Sequence, residues 1–251
     1  MAMAFETGHG WGNGPALGLV LLQADETIEV EFRQLMTPEQ FTLYHTRVPS
    51  GLEVTEETLV QMAGEIPAAV RLFPSAAKLD VVGYACTSGA TVIGEDRVHD
   101  LVRSVRPGVA VTNPLTAVKA ALEALKIERL GFLTPYVADV SQAMRQRLEK
   151  AGVTIAAFGS FEQSEEALVA RITPASILEA VVELGRDTDC GGVFIACTNL
   201  RTLDILAEAE SRLGKPVISS TQALAWHMAQ LAGHPLRPSG RGRLFACDLE
   251  S

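Results

Sequence analysis

No lysine- or arginine-rich cluster interrupts a chain whose formal net charge is −9. Nothing in it offsets the repulsion that such a surface exerts on phosphate backbones and anionic membranes, so neither nucleic acid nor membrane is an expected partner. A small anionic substrate remains compatible with the acidity, because backbone N–H groups can bind an anion locally. Nucleotide signatures are missing as well. There is no G-x-x-x-x-G-K-[ST], and the glycines of GHGWGNG (Gly8 to Gly14) precede the first apolar run instead of following it as G-x-G-x-x-G. No apolar run approaches the ~18 residues of a membrane span. The first residues, MAMAFETGHGWGNG, lack the basic start and apolar core of a secretory signal, and a cytoplasmic protein is expected. Cysteine is scarce, with four in 251 residues and none in a C-x-x-C pair, which excludes a disulfide framework or a zinc motif and leaves reduced thiols.

What the chain does have is apolar content, 47% of residues against 20% charged, enough for a sizeable core. Short β-rich runs alternate with helical patterns. The strand-like runs are Ala16 to Gln23, Phe41 to Val48, Leu79 to Cys86 and Gly108 to Asn113, then Arg129 to Tyr136, Val153 to Ser160, Gly192 to Asn199 and Lys215 to Ser220. Helical patterns fall at about 26–34, 55–72, 89–104 and 116–125, then 140–151, 174–184, 202–213 and 221–233. This order predicts parallel sheets with helices on both faces. It also restarts midway, with LGLVLLQ (Leu17 to Gln23) over LGFLTPY (Leu130 to Tyr136). The expectation is therefore α/β, two pseudo-symmetric halves, each a four-stranded parallel sheet flanked by helices, with the active site between them. Residues 15–115 with 222–251 would form one half and 116–221 the other. The lead-in before Pro15 is read as flexible, and the turn-rich segment from Pro235 to Ser251 is expected to wrap over the N-terminal half.

The strongest repeat carries chemistry. VVGYACTSGAT (Val81 to Thr91) returns as GVFIACTNLRT (Gly192 to Thr202), aligning Cys86 with Cys197 without a gap. Ligands of open parallel sheets bind at the carboxyl ends of strands, and both cysteines fall at such an end with a helical pattern following. A helix N-terminus there would lower a thiol pKa from its reference of about 8.5. Thr87 and Ser88 in one half, and Thr198 and Asn199 in the other, would supply donors for a carboxylate or oxyanion. A single cysteine at a strand end is more often an inert small hydrophobe; a matched pair with polar neighbours argues for function. Two thiols facing one carbon from opposite sides are what a racemase or isomerase needs. Cys190 and Cys247 lack this context and are read as structural.

With these residues in view the chain resembles the aspartate/glutamate racemase superfamily, in the branch of maleate cis-trans isomerases, arylmalonate decarboxylases and ectoine-utilisation proteins. LQADETIEVEF (Leu22 to Phe32) and YHTRVP (Tyr44 to Pro49) are similar to the maleate isomerases, and TLDILAEAESRLGKPVISS (Thr202 to Ser220) and GRGRLF (Gly240 to Phe245) to the decarboxylases. The resemblance implies flavodoxin-like halves and an isomerase or racemase of a small carboxylic acid, without metal, flavin or pyridoxal phosphate, expected to assemble as a homo-oligomer. It carries catalysis onto Cys86 and Cys197 and substrate binding onto Gln23, Asp25, Thr87, Ser88, Tyr136, Thr198 and Asn199. Departures matter. The decarboxylases have glycine at the first cysteine position, and Asp25 stands where the maleate isomerases have asparagine. Asp25 either faces the substrate or caps the following helix. Arg47 and His45 are candidates for supporting or interface roles, His227 for packing, and His9, His99 and His234 for none. Decarboxylation, with Cys197 delivering the proton, and non-catalytic carboxylate binding are the alternatives.

Overall fold

The computed structural model describes residues 1–8, 12, 14–51 and 53–249. His9 and part of the Gly8 to Gly14 lead-in lie outside the described residues, as do the last two residues of the C-terminal segment. Eighteen main elements follow in order. The first half contains β1 (Ala16–Leu22), α1 (Ile28–Leu35), β2 (Thr42–Val48), α2 (Glu56–Arg71), β3 (Val81–Tyr84), α3 (Thr87–Ile93), α4 (Glu95–Arg103), β4 (Ala110–Thr112) and α5 (Pro114–Ala124). The second contains β5 (Arg129–Tyr136), α6 (Ala138–Lys150), β6 (Thr154–Gln163), α7 (Glu166–Val169), α8 (Pro174–Gly185), β7 (Gly192–Ile195), α9 (Leu206–Leu213), β8 (Val217–Ser219) and α10 (Ser220–Leu231). A 3₁₀ turn at Arg243–Ala246 comes last.

Two sheets result, ordered β2-β1-β3-β4 and β6-β5-β7-β8, and every pair is parallel. The matching order is the spatial form of the sequence repeat. It puts the switch in strand order, where ligands of such sheets bind, beside β1–β3 and β5–β7. The central strands β1 and β5 are buried almost throughout because helices cover both faces, which explains their continuous apolar runs. The edge strand β6 is half-buried and mixed in composition. Local sequence sets the helix starts: Asn113 and Thr173 each accept a hydrogen bond from the backbone N–H three residues on, and each is followed by proline at the first helical position.

Four expectations need correction. The single helix over 89–104 is two, broken where Gly94 adopts φ 93°. The helix expected from Thr202 starts only at Leu206. α7 was not anticipated, and β6 runs on to Gln163. Apart from these four, the C-terminal segment lies on α10 and α9: Trp226 Nε1 donates to Cys247 O (3.0 Å), Gln222 Nε2 to Arg241 O (2.7 Å), and Glu210 accepts from Arg243 N (3.0 Å). α10 itself packs mainly on α5, with further contacts to β3, β4 and β8. Within it, His227 bonds Thr112 Oγ1 through Nδ1 (2.7 Å), and burial pushes its pKa down to about 4, so it is a neutral packing residue.

Candidate functional site

β3 delivers Cys86 to the N-cap of α3, where Sγ accepts from Gly89 N (3.1 Å) and lies 3.5 Å from Ser88 Oγ. Gly89 is required by close approach: a Cβ there would sit 2.5 Å from the Tyr84 hydroxyl and 3.0 Å from the Cys86 sulfur. In the other half β7 delivers Cys197, whose Sγ accepts from Asn199 N (3.3 Å) and whose N–H donates to Ser220 Oγ (3.1 Å). Cys197 has φ 97°, a region that a residue with a Cβ occupies only under strain. The pseudo-symmetry therefore breaks at the second thiol, which no helix caps, since α9 begins nine residues on at Leu206.

The two cysteine turns meet. Thr198 Oγ1 donates to Ala85 O (3.2 Å), and Thr87 Oγ1 to Ser220 Oγ (2.8 Å), the same hydroxyl that receives the Cys197 N–H. Both thiols act electrostatically on Tyr136, and Glu166 and Asp25 act on both thiols. Each cysteine is only 3% exposed. Burial pushes Cys86 up to about 12; the Ser88 and Gly89 hydrogen bonds pull it down and the carboxylates raise it again. Cys197 is held well above the ordinary thiol value by burial and by Glu166, against the Tyr136 and Asn199 hydrogen bonds. This overturns the expectation of helix-lowered thiols: desolvation in an anion-lined site outweighs one N–H per sulfur. Both are neutral at rest.

Asp25 is not the N-cap of α1, which is Thr27, but from two residues earlier it holds the backbone at the start of that helix. Its Oδ1 accepts from Thr27 N (2.8 Å) and Ile28 N (2.9 Å), and Oδ2 accepts from Thr198 Oγ1 (2.9 Å). Asn199 Oδ1 accepts from Glu26 N (2.9 Å), while Nδ2 donates to Glu166 Oε2 (2.8 Å) and Glu166 O (3.2 Å). The polar groups of Thr87, Thr198 and Asn199 thus tie the two halves together around the thiols. Tyr136 is buried, its hydroxyl on Cys197. Gln23 is exposed at the mouth. There a cleft of about 530 Å³ is lined by Gln23, Ala24, Glu26, Glu53, Glu165, Glu166 and Ala167. Its rim is a short antiparallel bridge between Glu53 and Glu165, with Val54 N donating to Ser164 O (3.0 Å).

Arg47 does not face this cleft as a free cation. Its guanidinium holds the backbone oxygens of Leu22 (2.8 Å) and Asp25 (2.9 Å) and pairs with Glu29 (3.1 Å). His45 is half-buried beside that pair, and burial lowers its pKa. Among the described residues no cluster of three or more histidine, cysteine or acidic side chains is arranged to hold a metal.

Sequence reasoning missed Glu166, Glu31 and Tyr84. Glu31 of α1 accepts from Thr202 N (2.6 Å) and Leu203 N (2.8 Å), fixing the turn after Cys197 from the opposite half. Glu166 stands alone in an acidic stretch, SEEALV, that carries no motif. Tyr84 is two residues before Cys86 in β3; its hydroxyl is buried beside Gly89 and has no hydrogen-bond partner among the described residues.

A repeated four-stranded parallel α/β unit, with one buried thiol at the carboxyl end of each third strand, defines the class of pseudo-symmetric paired-cysteine proteins. The chain belongs to the arylmalonate decarboxylase family, whose profile matches residues 51–245. A maleate isomerase of Pseudomonas putida is 26% identical over 92% of this chain and 96% of its own. The arylmalonate decarboxylase of Bordetella bronchiseptica is 34% identical, over 55% of this chain and 58% of its own. Among solved structures, a Nocardia farcinica maleate cis-trans isomerase variant with a covalently bound succinylcysteine intermediate shares the fold at a TM-score of 0.83, with 24% identity over 92% of this chain and 98% of its own.

Proposed function

We propose that this protein is a cofactor-independent isomerase of a small carboxylic acid that works through Cys86 and Cys197. The observation that supports this reading is that the two turns bearing the buried thiols bond to one another's halves, Thr198 to Ala85 and Thr87 to Ser220, with full-length similarity to maleate isomerases beside it. In a cis-trans reaction, the sulfur of one thiol adds to an alkene carbon as its proton passes to the second sulfur, which gives its own proton to the neighbouring carbon. The new C–C single bond rotates; the carbon's proton then returns to the second sulfur, whose proton passes back to the first as the C–S bond breaks, restoring both thiols and releasing the trans acid. Cys86 is the better placed nucleophile, because Gly89 N–H and Ser88 Oγ lie at its sulfur. Cys197, hydrogen-bonded to Tyr136, is the proton carrier. Thiols neutral at rest suit this role: the ionised form arises only with substrate in place, and water is kept from it.

The test is NMR of a panel of small carboxylic acids in deuterated water with wild type, Cys86→Ala and Cys197→Ala. Conversion of a cis to a trans alkenoic acid that both variants abolish is expected. Racemisation with α-deuteration that needs both thiols would assign the same residues to proton transfer alone. The decarboxylase similarity favours a second reading, in which Cys197 protonates the product of a malonate; carbon dioxide release surviving in Cys86→Ala would select it.

A further inference from the structure

The cleft beside the cysteine turns is lined by carboxylates, and one of them, Glu166, holds the side chain of Asn199, whose backbone N–H donates to the Cys197 sulfur. Glu26, Glu53 and Glu165 line its mouth, and Glu166 lies at its inner end, 6% exposed yet facing the cleft. Among the described residues no cation pairs with Glu166. Arg47 is spent on backbone oxygens and Glu29, and Arg171 pairs with Glu26 on the exterior. Glu166 Oε2 takes the Asn199 amide (2.8 Å), and among the described residues Oε1 accepts no hydrogen bond. At the thiols themselves the side chains include hydroxyl donors, Ser88 and Tyr136. One end of the site can therefore donate to a carboxylate, while the other presents an acceptor under negative potential.

We propose that Glu166 makes the site selective for a monoanionic acid whose second polar group carries N–H donors, a carboxamide or ammonium, and against a dicarboxylate. The inference rests on the isomerase reading and narrows its substrate class. Burial already raises the Glu166 pKa; a second carboxylate beside it would disfavour its charged form further, whereas an N–H group would give Oε1 the donor it lacks and favour that form. Glu166 is a specificity-determining residue here.

Maleate and its monoamide, maleamate, test this with wild type and Glu166→Gln, an isosteric change that keeps an acceptor for Asn199. Wild type is expected to favour maleamate in kcat/KM by about tenfold or more, and Glu166→Gln to cut that preference by a similar factor through maleate. A wild type that prefers maleate overturns the inference, as does a variant that lowers both substrates equally, which marks Glu166 as a support for Asn199 only. Calorimetric binding of the unreactive analogues succinate and succinamate separates this from the reaction itself. If wild type turns over neither alkene, the isomerase reading fails, and the binding pair still decides. Succinamate bound more tightly by wild type and not by Glu166→Gln sustains charge selection; equal affinities overturn it.

Discussion

At the residue scale, the two thiols are alike in sequence and unlike in backbone. Cys86 sits in an extended conformation at φ −144°, Cys197 in a strained one at φ 97°. Glycine relieves strain only at the second, so Cys197→Gly should cost less stability than Cys86→Gly by about 1–3 kcal/mol, read by urea denaturation, though both remove activity. Burial gives another expectation. At pH 7 iodoacetamide should label Cys247, which is partly exposed, ahead of Cys86 and Cys197, with mass spectrometry giving the order. Gly89→Ala should lower kcat by about tenfold or more, because its methyl displaces the Tyr84 hydroxyl and the Cys86 sulfur together. Cys86 and Cys197 were legible in the sequence because duplication printed them twice. Glu166 was not, because its importance comes from Asn199 and two sulfurs far away in the chain.

At the scale of elements, local pattern decided most starts and stops. β5 spans the expected Arg129–Tyr136, and proline after Asn113 and Thr173 marks two helix beginnings. Pattern failed where a distant group captured the backbone. The helix expected from Thr202 is delayed because Glu31, on α1, takes the Thr202 and Leu203 N–H groups. That carboxyl also implies a pH dependence. Burial raises its pKa from 4.5 to about 7 despite those bonds, so between these values the folded protein holds a proton that the unfolded chain has lost. Stability from this group is complete below pH 4.5 and declines as pH rises to about 7, at up to roughly 1.4 kcal/mol per pH unit. Glu31→Gln should flatten that decline, which unfolding free energies at pH 5 and pH 7.5 would reveal.

For the whole molecule, the hydrogen bonds joining the halves are concentrated at the site. Glu31 to Thr202 and Leu203, Thr198 to Ala85, Thr87 to Ser220 and Thr27 Oγ1 to Asn199 O all cross from one sheet system to the other. With α10 lying on α5, neither half keeps its buried surface covered alone. Calorimetry should therefore record one cooperative transition, with calorimetric and van't Hoff enthalpies in agreement; two resolved transitions would mean that the halves are thermally independent.

The main-chain bond from Val54 to Ser164 has a kinetic consequence. With each cysteine only 3% exposed, substrate entry requires some backbone to move, and the segment expected to move is this clasp, which borders the cleft lined by Glu166. Turnover would then be timed by how often two short backbone segments part company, and solvent viscosity would slow it even when the bond-making steps are fast.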